Sequence, residues 1–222
     1  MAANDRPSAT TRPNSATEGG ETMAIDVDID VGVLKDEIRK TYACVSSEPE
    51  TQFVFPTGRA WAEDLGYPEE LGRVPESAVE SFAGVANPFS LGRLSPGERV
   101  LDLGSGAGTD SLVAAQMVGP GGRVTGIDMT PEMVAKARAA ATALGVDNVE
   151  FLEGEAERLP FPDASFDVVI SNGVIDLIPD KDAVFSEIFR VLAPGGRMQI
   201  ADVTIQNPVS AEGRRNIDLW TG

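Results

Sequence analysis

From Gly97 onward the apolar positions follow two periods in turn. Short, nearly continuous apolar runs of strand length occur at "ERVLDLG", "GRVTGID", "NVEFLEG", "FDVVISN" and "GRMQIADV". Between them lie stretches whose apolar residues recur three and four apart, as in a helix. The clearest is "TPEMVAKARAAATALG". It puts Met133, Ala137, Ala140 and Leu144 on one face, with Thr130 as N-cap, Pro131 at the first helical position and Gly145 as the stop. "DSLVAAQMV" reads as a helix stopped by Gly119 and Pro120. "DKDAVFSEIFRVL" reads as another, opened by a solvated Lys181 and Asp182 and ended by Pro194 and Gly195. Strands alternating with helices predict βαβ units, a mostly parallel doubly wound sheet, and a ligand crevice at the carboxyl ends of its strands.

Upstream the pattern is weaker. "VLKDEIRKTY" has helical spacing at Val33, Leu34, Ile38 and Tyr42. The following stretch to residue 96 is aromatic and rich in Pro and Gly, without a clean period, which predicts a helical cap packed on its neighbour. The first residues, rich in Ser, Thr, Pro and Asn, hold too little apolar surface to repay ordering. The expected organisation is a disordered tail over 1–32, a cap over 33–96 and an α/β core over 97–222.

Charge and composition narrow the partners. The formal net charge of −17 repels phosphate backbones and anionic membranes, so a small-molecule substrate is expected, with no nucleic acid and no membrane. The chain has no histidine and one cysteine, Cys44. That removes a Ser–His triad, a Cys/His metal site and an intrachain disulfide, and it fits a reducing cytoplasm. No metal site is expected, and no residue stands out as catalytic.

The chemistry concentrates in "VLDLGSGAGTD". Asp102, Gly104, Gly106 and Gly108 form D-x-G-x-G-x-G between a strand and a helix, where bare backbone and free N–H groups receive a ligand closely. A dinucleotide fingerprint would place its third glycine at residue 109, which is threonine. Asp128, at the tip of the second strand, is placed to accept from both hydroxyls of a ribose. Met129 follows it and would lie against an adenine; Glu155, after the third strand, would accept from an adenine amino group.

These motifs in register, with "GIDMT", "GEAERLPFPDASFDVVISN" and "VLAPGGRMQIADV", resemble the class I S-adenosylmethionine-dependent methyltransferases, which have a Rossmann-like core. The resemblance implies that Asp102, Gly104, Ser105, Gly106 and Gly108 surround the methionine part of the cofactor. It implies that Asp128 holds the ribose, that Met129, Glu155 and Ala156 frame the adenine, and that Asn172 faces the reacting region. Whole phrases such as "VTGIDMTPEMVAKAR" and "ISNGVIDLIPDKDAVFSEIFRVLAPGGRMQIADV" are similar to arsenite methyltransferases in particular. That implies methyl transfer to trivalent arsenic held by cysteine thiolates, soft ligands for a soft centre.

This chain departs from that pattern where it matters. Gly173 and Val85 stand where the family carries cysteines. Phe53, Phe55, Trp61 and Tyr67 leave two readings open, a structural cap or a segment that closes over the site, and Tyr42 is within reach of the amino-acid end of the cofactor. Two alternatives stay open: methylation of a small organic acceptor under that cap, and cofactor binding without turnover. A nicotinamide oxidoreductase is disfavoured by the glycine spacing and the absence of histidine. The class normally adds a helix and a final antiparallel strand pair after the fifth strand. Those strands are expected to be missing here, so the chain reads as a truncated product in which one cysteine is a lower bound.

Overall fold

A computed structural model describes residues 30–206, together with 209, 210, 212, 213, 216, 217 and 220. The expected tail falls largely on 1–29, outside the described residues. Positions 31 and 32, assigned to that tail from sequence, instead open helix α1 (Val31–Ser47), because the Asp30 side chain accepts from Val33 N at 3.0 Å and caps it. The rest of the cap is a series of short turns. These are α2 (Arg59–Asp64), a 3-10 turn at Glu69–Arg73, α3 (Glu76–Val79) and a second 3-10 turn at Pro88–Leu91.

The core then alternates β1 (Arg99–Leu103), α4 (Thr109–Val118), β2 (Arg123–Asp128), α5 (Pro131–Leu144), β3 (Val149–Glu153), β4 (Phe166–Asn172), α6 (Lys181–Val191) and β5 (Leu192–Ala201). The strands form one sheet in the order β3-β2-β1-β4-β5, with every pairing parallel. The chain therefore reverses its direction of winding between β1 and β4, and that is where such a sheet opens a crevice. This is the Rossmann-like α/β architecture with an N-terminal helical cap expected from the period changes.

Both faces of the sheet are covered. On one, Val100, Val168 and Ile170 pack with Leu112 and Val113 of α4 and Ala137 and Ala140 of α5. The cap residues Leu71, Val74, Phe82 and Phe89 join this same cluster, so the cap is part of the core's hydrophobic burial. On the other face Leu101, Leu103 and Val169 pack with Val184, Ile188 and Val191 of α6.

Two local expectations change. Thr130 sits at the N-cap of α5 but makes no side-chain capping bond; instead its own N–H donates to Asp128 Oδ1 at 2.8 Å. Helix α6 stops at Val191, earlier than Pro194, because Leu192 is already extended and pairs with Phe166 of β4. Pro194 then keeps the residue before it out of the helical region. Among the described residues no helix is long and apolar enough to cross a membrane.

Candidate functional site

A cleft opens above the carboxyl ends of β1, β2 and β4, under α1 and the cap. Its floor is the loop after β1. Gly104 N and Ser105 N both donate to Ile127 O, at 2.8 and 2.9 Å, so the loop bends back over β2. Gly104 takes a φ of 73°, and a Cβ there would stand 2.3 Å from Val174 Cγ2. Gly106, at φ 51°, has nothing within 4 Å of where a Cβ would be: its bare side faces the cleft.

Asp128 ties this floor to the next wall. Its Oδ2 accepts from Gly106 N at 2.8 Å and its Oδ1 from Thr130 N at 2.8 Å. Burial nevertheless raises its pKa above the usual carboxylate value, against the pull of those N–H groups. Further donors, such as a pair of hydroxyls, would favour the charged form.

The ten residues expected from sequence separate into two groups. Gly104, Ser105, Gly106, Asp128, Met129, Glu155, Ala156 and Asn172 line the cleft. Asp102 and Gly108 do not. Asp102 is 2% exposed and accepts from Ser111 Oγ at 2.5 Å, beneath the loop; burial, with Asp110 close by, pushes its pKa well up. Gly108 turns its bare side to the core, where a Cβ would meet Phe151 Cζ at 2.8 Å.

Two of the lining residues are engaged in ways the sequence did not announce. Glu155 accepts from Lys35 Nζ at 2.7 Å and Arg39 Nη2 at 3.1 Å, both on α1. The Lys35 bond, ahead of burial, sets the direction, and its pKa is lowered. Asn172 is bonded through its amide to the cap at Val85 and Ala86, to Tyr67 and to Asp110.

Sequence reasoning missed Lys35, Arg39, Asp110 and Lys181. The α1 spacing carried an intimation of the first two, since Lys35 and Arg39 are four apart. Asp110 was legible only as a helix-start acid. Lys181, read as solvated, instead donates to the carbonyls of Ile175, Asp176 and Ile178 at 2.7, 3.1 and 2.9 Å and shapes the loop after β4.

The cap aromatics divide. Tyr42 lines the cleft. Phe55 stacks on it, with ring centroids 6.1 Å apart, and Phe53 stacks on Phe55. Trp61 and Tyr67 brace the wall from behind by hydrogen bonds to Gly84 O and Asp110 Oδ1, at 2.7 and 2.6 Å. Cys44 lies outside the lining. Gly173 and Val85 face each other at the rim, where a Cβ on Gly173 would stand 3.1 Å from Val85 Cγ1.

Comparison with known proteins places this geometry. Over 180 residues the chain is 44% identical to an arsenite methyltransferase of Halobacterium salinarum, covering 81% of this chain and 44% of that protein. Over 119 residues it is 38% identical to a demethylmenaquinone methyltransferase of Listeria monocytogenes, covering 54% of this chain and 50% of that protein. The crystal structure of an arsenic(III) S-adenosylmethionine methyltransferase from Chlamydomonas reinhardtii superposes with a TM-score of 0.60 at 44% identity, over 64% of this chain and 50% of that one. The chain thus spans half the length, or less, of each of these three relatives. The profile of the methyltransferase domain family matches residues 94–220, more than half of the chain, and the chain belongs to that family.

Proposed function

We propose that the cleft binds S-adenosylmethionine and that the chain is a methyltransferase of the arsenite methyltransferase type, transferring a methyl group to a small acceptor. The observation that carries this reading is Ser105 Oγ. It is buried, it lies in the cleft lining, and it has no hydrogen-bond partner. It sits in the bare glycine loop, beside the open face of Gly106 and the half-buried carboxylate of Asp128. A polar ligand that fills this cradle satisfies an otherwise costly orphan. Ser105 and the N-terminal end of α4 would receive the amino-acid end, Asp128 the ribose, and Met129 and Ala156 the adenine. The cofactor supplies an electrophilic methyl on a sulfonium; the chain's residues orient it and exclude water. A displacement of this kind depends on alignment.

The acceptor is trivalent arsenic on the strength of the two arsenic-named relatives. A second reading, a small organic acceptor, is favoured by the walls beside Asn172. Phe82, Val174 and Leu177 line the cleft there and no thiol does. The solitary thiol and the acidic surface support a cytoplasmic protein that does not bind nucleic acid.

Production of S-adenosylhomocysteine by the purified chain, followed by mass spectrometry with and without arsenite plus glutathione, tests this. Arsenite-dependent product supports the arsenic reading. Product that requires an added phenol or quinol instead supports the organic one. No product with any acceptor overturns both.

A further inference from the structure

Gly84 is absent from the residues with positive φ, so its backbone makes no demand for glycine. Space does. A Cβ at this position would stand 2.3 Å from Asn172 Nδ2 and 2.6 Å from Phe82 Cζ. The cap therefore meets the end of β4 through an approach that no side chain fits, and both Gly84 and Asn172 line the cleft.

The Asn172 amide is fully committed at this contact. Its Oδ1 accepts from Val85 N at 2.8 Å and Ala86 N at 3.2 Å, which fixes which way the amide faces. Its Nδ2 has two hydrogens and three acceptors: Tyr67 Oη at 2.9 Å, Ala86 O at 2.9 Å and Asp110 Oδ2 at 3.1 Å. The Tyr67 hydroxyl gives its own hydrogen to Asp110 Oδ1, leaving its oxygen to accept. No donor or acceptor of the amide is left over for a ligand. One side chain thus joins the end of β4, the cap segment 84–86 and the first turn of α4, which continues the glycine loop.

We propose that Asn172 is a positioning residue for methyl transfer: it holds the cap wall at Gly84–Ala86 in register with the glycine loop and does not itself bind the cofactor. The inference rests on the methyl-transfer reading above.

Trp61 provides a reporter, since its indole bonds to Gly84 O. In a Trp220→Phe background Trp61 is the sole tryptophan and is excited selectively at the red edge of the absorption band. The variants are Asn172→Ala, the milder Asn172→Ser in case alanine fails to fold, and Asn172→Asp, which sets an oxygen against Asp110 and Ala86 O. The expected result is a red shift of Trp61 emission and an affinity for S-adenosylhomocysteine within about threefold of the parent by calorimetry. With arsenite and glutathione, kcat should fall about a hundredfold, the scale of a misplaced reacting group. Exchanging the partners, Asn172→Asp with Asp110→Asn, should restore much of kcat. The proposal is overturned if affinity falls as far as kcat while Trp61 emission stays unchanged, which would make Asn172 a cofactor ligand. It is equally overturned if kcat is retained. If the parent itself transfers no methyl group, the methyl-transfer reading fails separately; the emission and affinity measurements still decide whether Asn172 holds the wall.

Discussion

Lys35 Nζ lies 2.7 Å from Glu155 Oε2 and 3.0 Å from Glu157 Oε1, so α1 is clasped across the mouth of the cleft by charge. Burial works against the Lys35 ammonium, but the two carboxylates outweigh it and its pKa is raised. With Glu155 41% exposed, such pairs add only about 0–1 kcal/mol each. Lys35→Met with Arg39→Met should therefore leave the melting temperature almost unchanged. It should speed dissociation of S-adenosylhomocysteine in stopped-flow measurements, because α1 opens more easily. An unchanged dissociation rate would show that α1 does not gate the cleft.

Two glycines that line the cleft, Gly84 in the cap wall and Gly106 in the floor, should respond differently to a methyl group. Gly84→Ala drives a Cβ into the Asn172 amide. Overpacking of this kind costs about 1–3 kcal/mol, which lowers the melting temperature of a chain this size by roughly 2–4 °C per kcal/mol. Gly106→Ala meets open space and suffers only its left-handed backbone, about 1–2 kcal/mol. Its methyl occupies the cleft, so the greater loss should be in cofactor affinity. Thermal melts with and without S-adenosylmethionine separate the two: ligand should restore stability to the Gly84 variant more than to the Gly106 variant.

Two carboxylates, the buried Asp110 and the half-buried Asp176, give the chain a signed pH dependence. Burial raises Asp110 to about 6 and, with the neighbouring Asp202, Asp176 to about 7, from an ordinary 3.8. Between those values the folded state binds more protons than the unfolded one, so stability falls as pH rises. Asp167 and Glu155, whose pKa values are lowered by Arg99 and Lys35, act oppositely at the acid end. The melting temperature should thus decline from pH 5 towards pH 7.5. Asp176→Asn should flatten that decline. A melting temperature that climbs from pH 5 to 7.5 would refute the assignment.

Gly173 and Val85 suggest a gain of function. With Val85→Cys and Gly173→Cys together, two thiols would face each other at the rim of the cleft, and removing the valine relieves the 3.1 Å contact. Soft thiolates hold trivalent arsenic, so the double variant should retain arsenite through desalting when the parent does not. Metal analysis by mass spectrometry reads this directly. The left-handed φ of 68° at residue 173 should make the single Gly173→Cys variant less stable than the parent.

Much of this was legible in the sequence, and the parts that were not share a cause. The five strands, α4 and α5 follow from periodicity and from Pro and Gly at their ends, because those signals are local. Asp128 and the glycine loop were legible for the same reason: one short segment carries each requirement. The Asn172 network was not, because its partners Tyr67, Val85, Ala86 and Asp110 come from segments far apart in the chain and only tertiary packing brings them together. Asp102 and Gly108 were read as cofactor contacts because they belong to the motif. In the structure they support the loop from below, and spacing alone does not separate a residue that touches a ligand from one that holds the residue that does. Lys181 shows the same limit in reverse, since a cation at a helix start looks solvated until the loop before it folds back onto it.

The central claim is that the floor built by Gly106 and Asp128 is a cofactor site. Titration calorimetry of the purified chain with S-adenosylmethionine tests it most directly, alongside Asp128→Ala and a parallel titration with NADH. In the proposed complex Asp128 would accept charge-assisted bonds from the ribose hydroxyls, each of a kind that contributes about 1.5–3 kcal/mol, so the variant should bind at least about tenfold more weakly. The account predicts one equivalent of S-adenosylmethionine bound by the parent, that loss in the variant, and no heat with NADH. Undiminished binding by Asp128→Ala, or binding of NADH in place of S-adenosylmethionine, would contradict it.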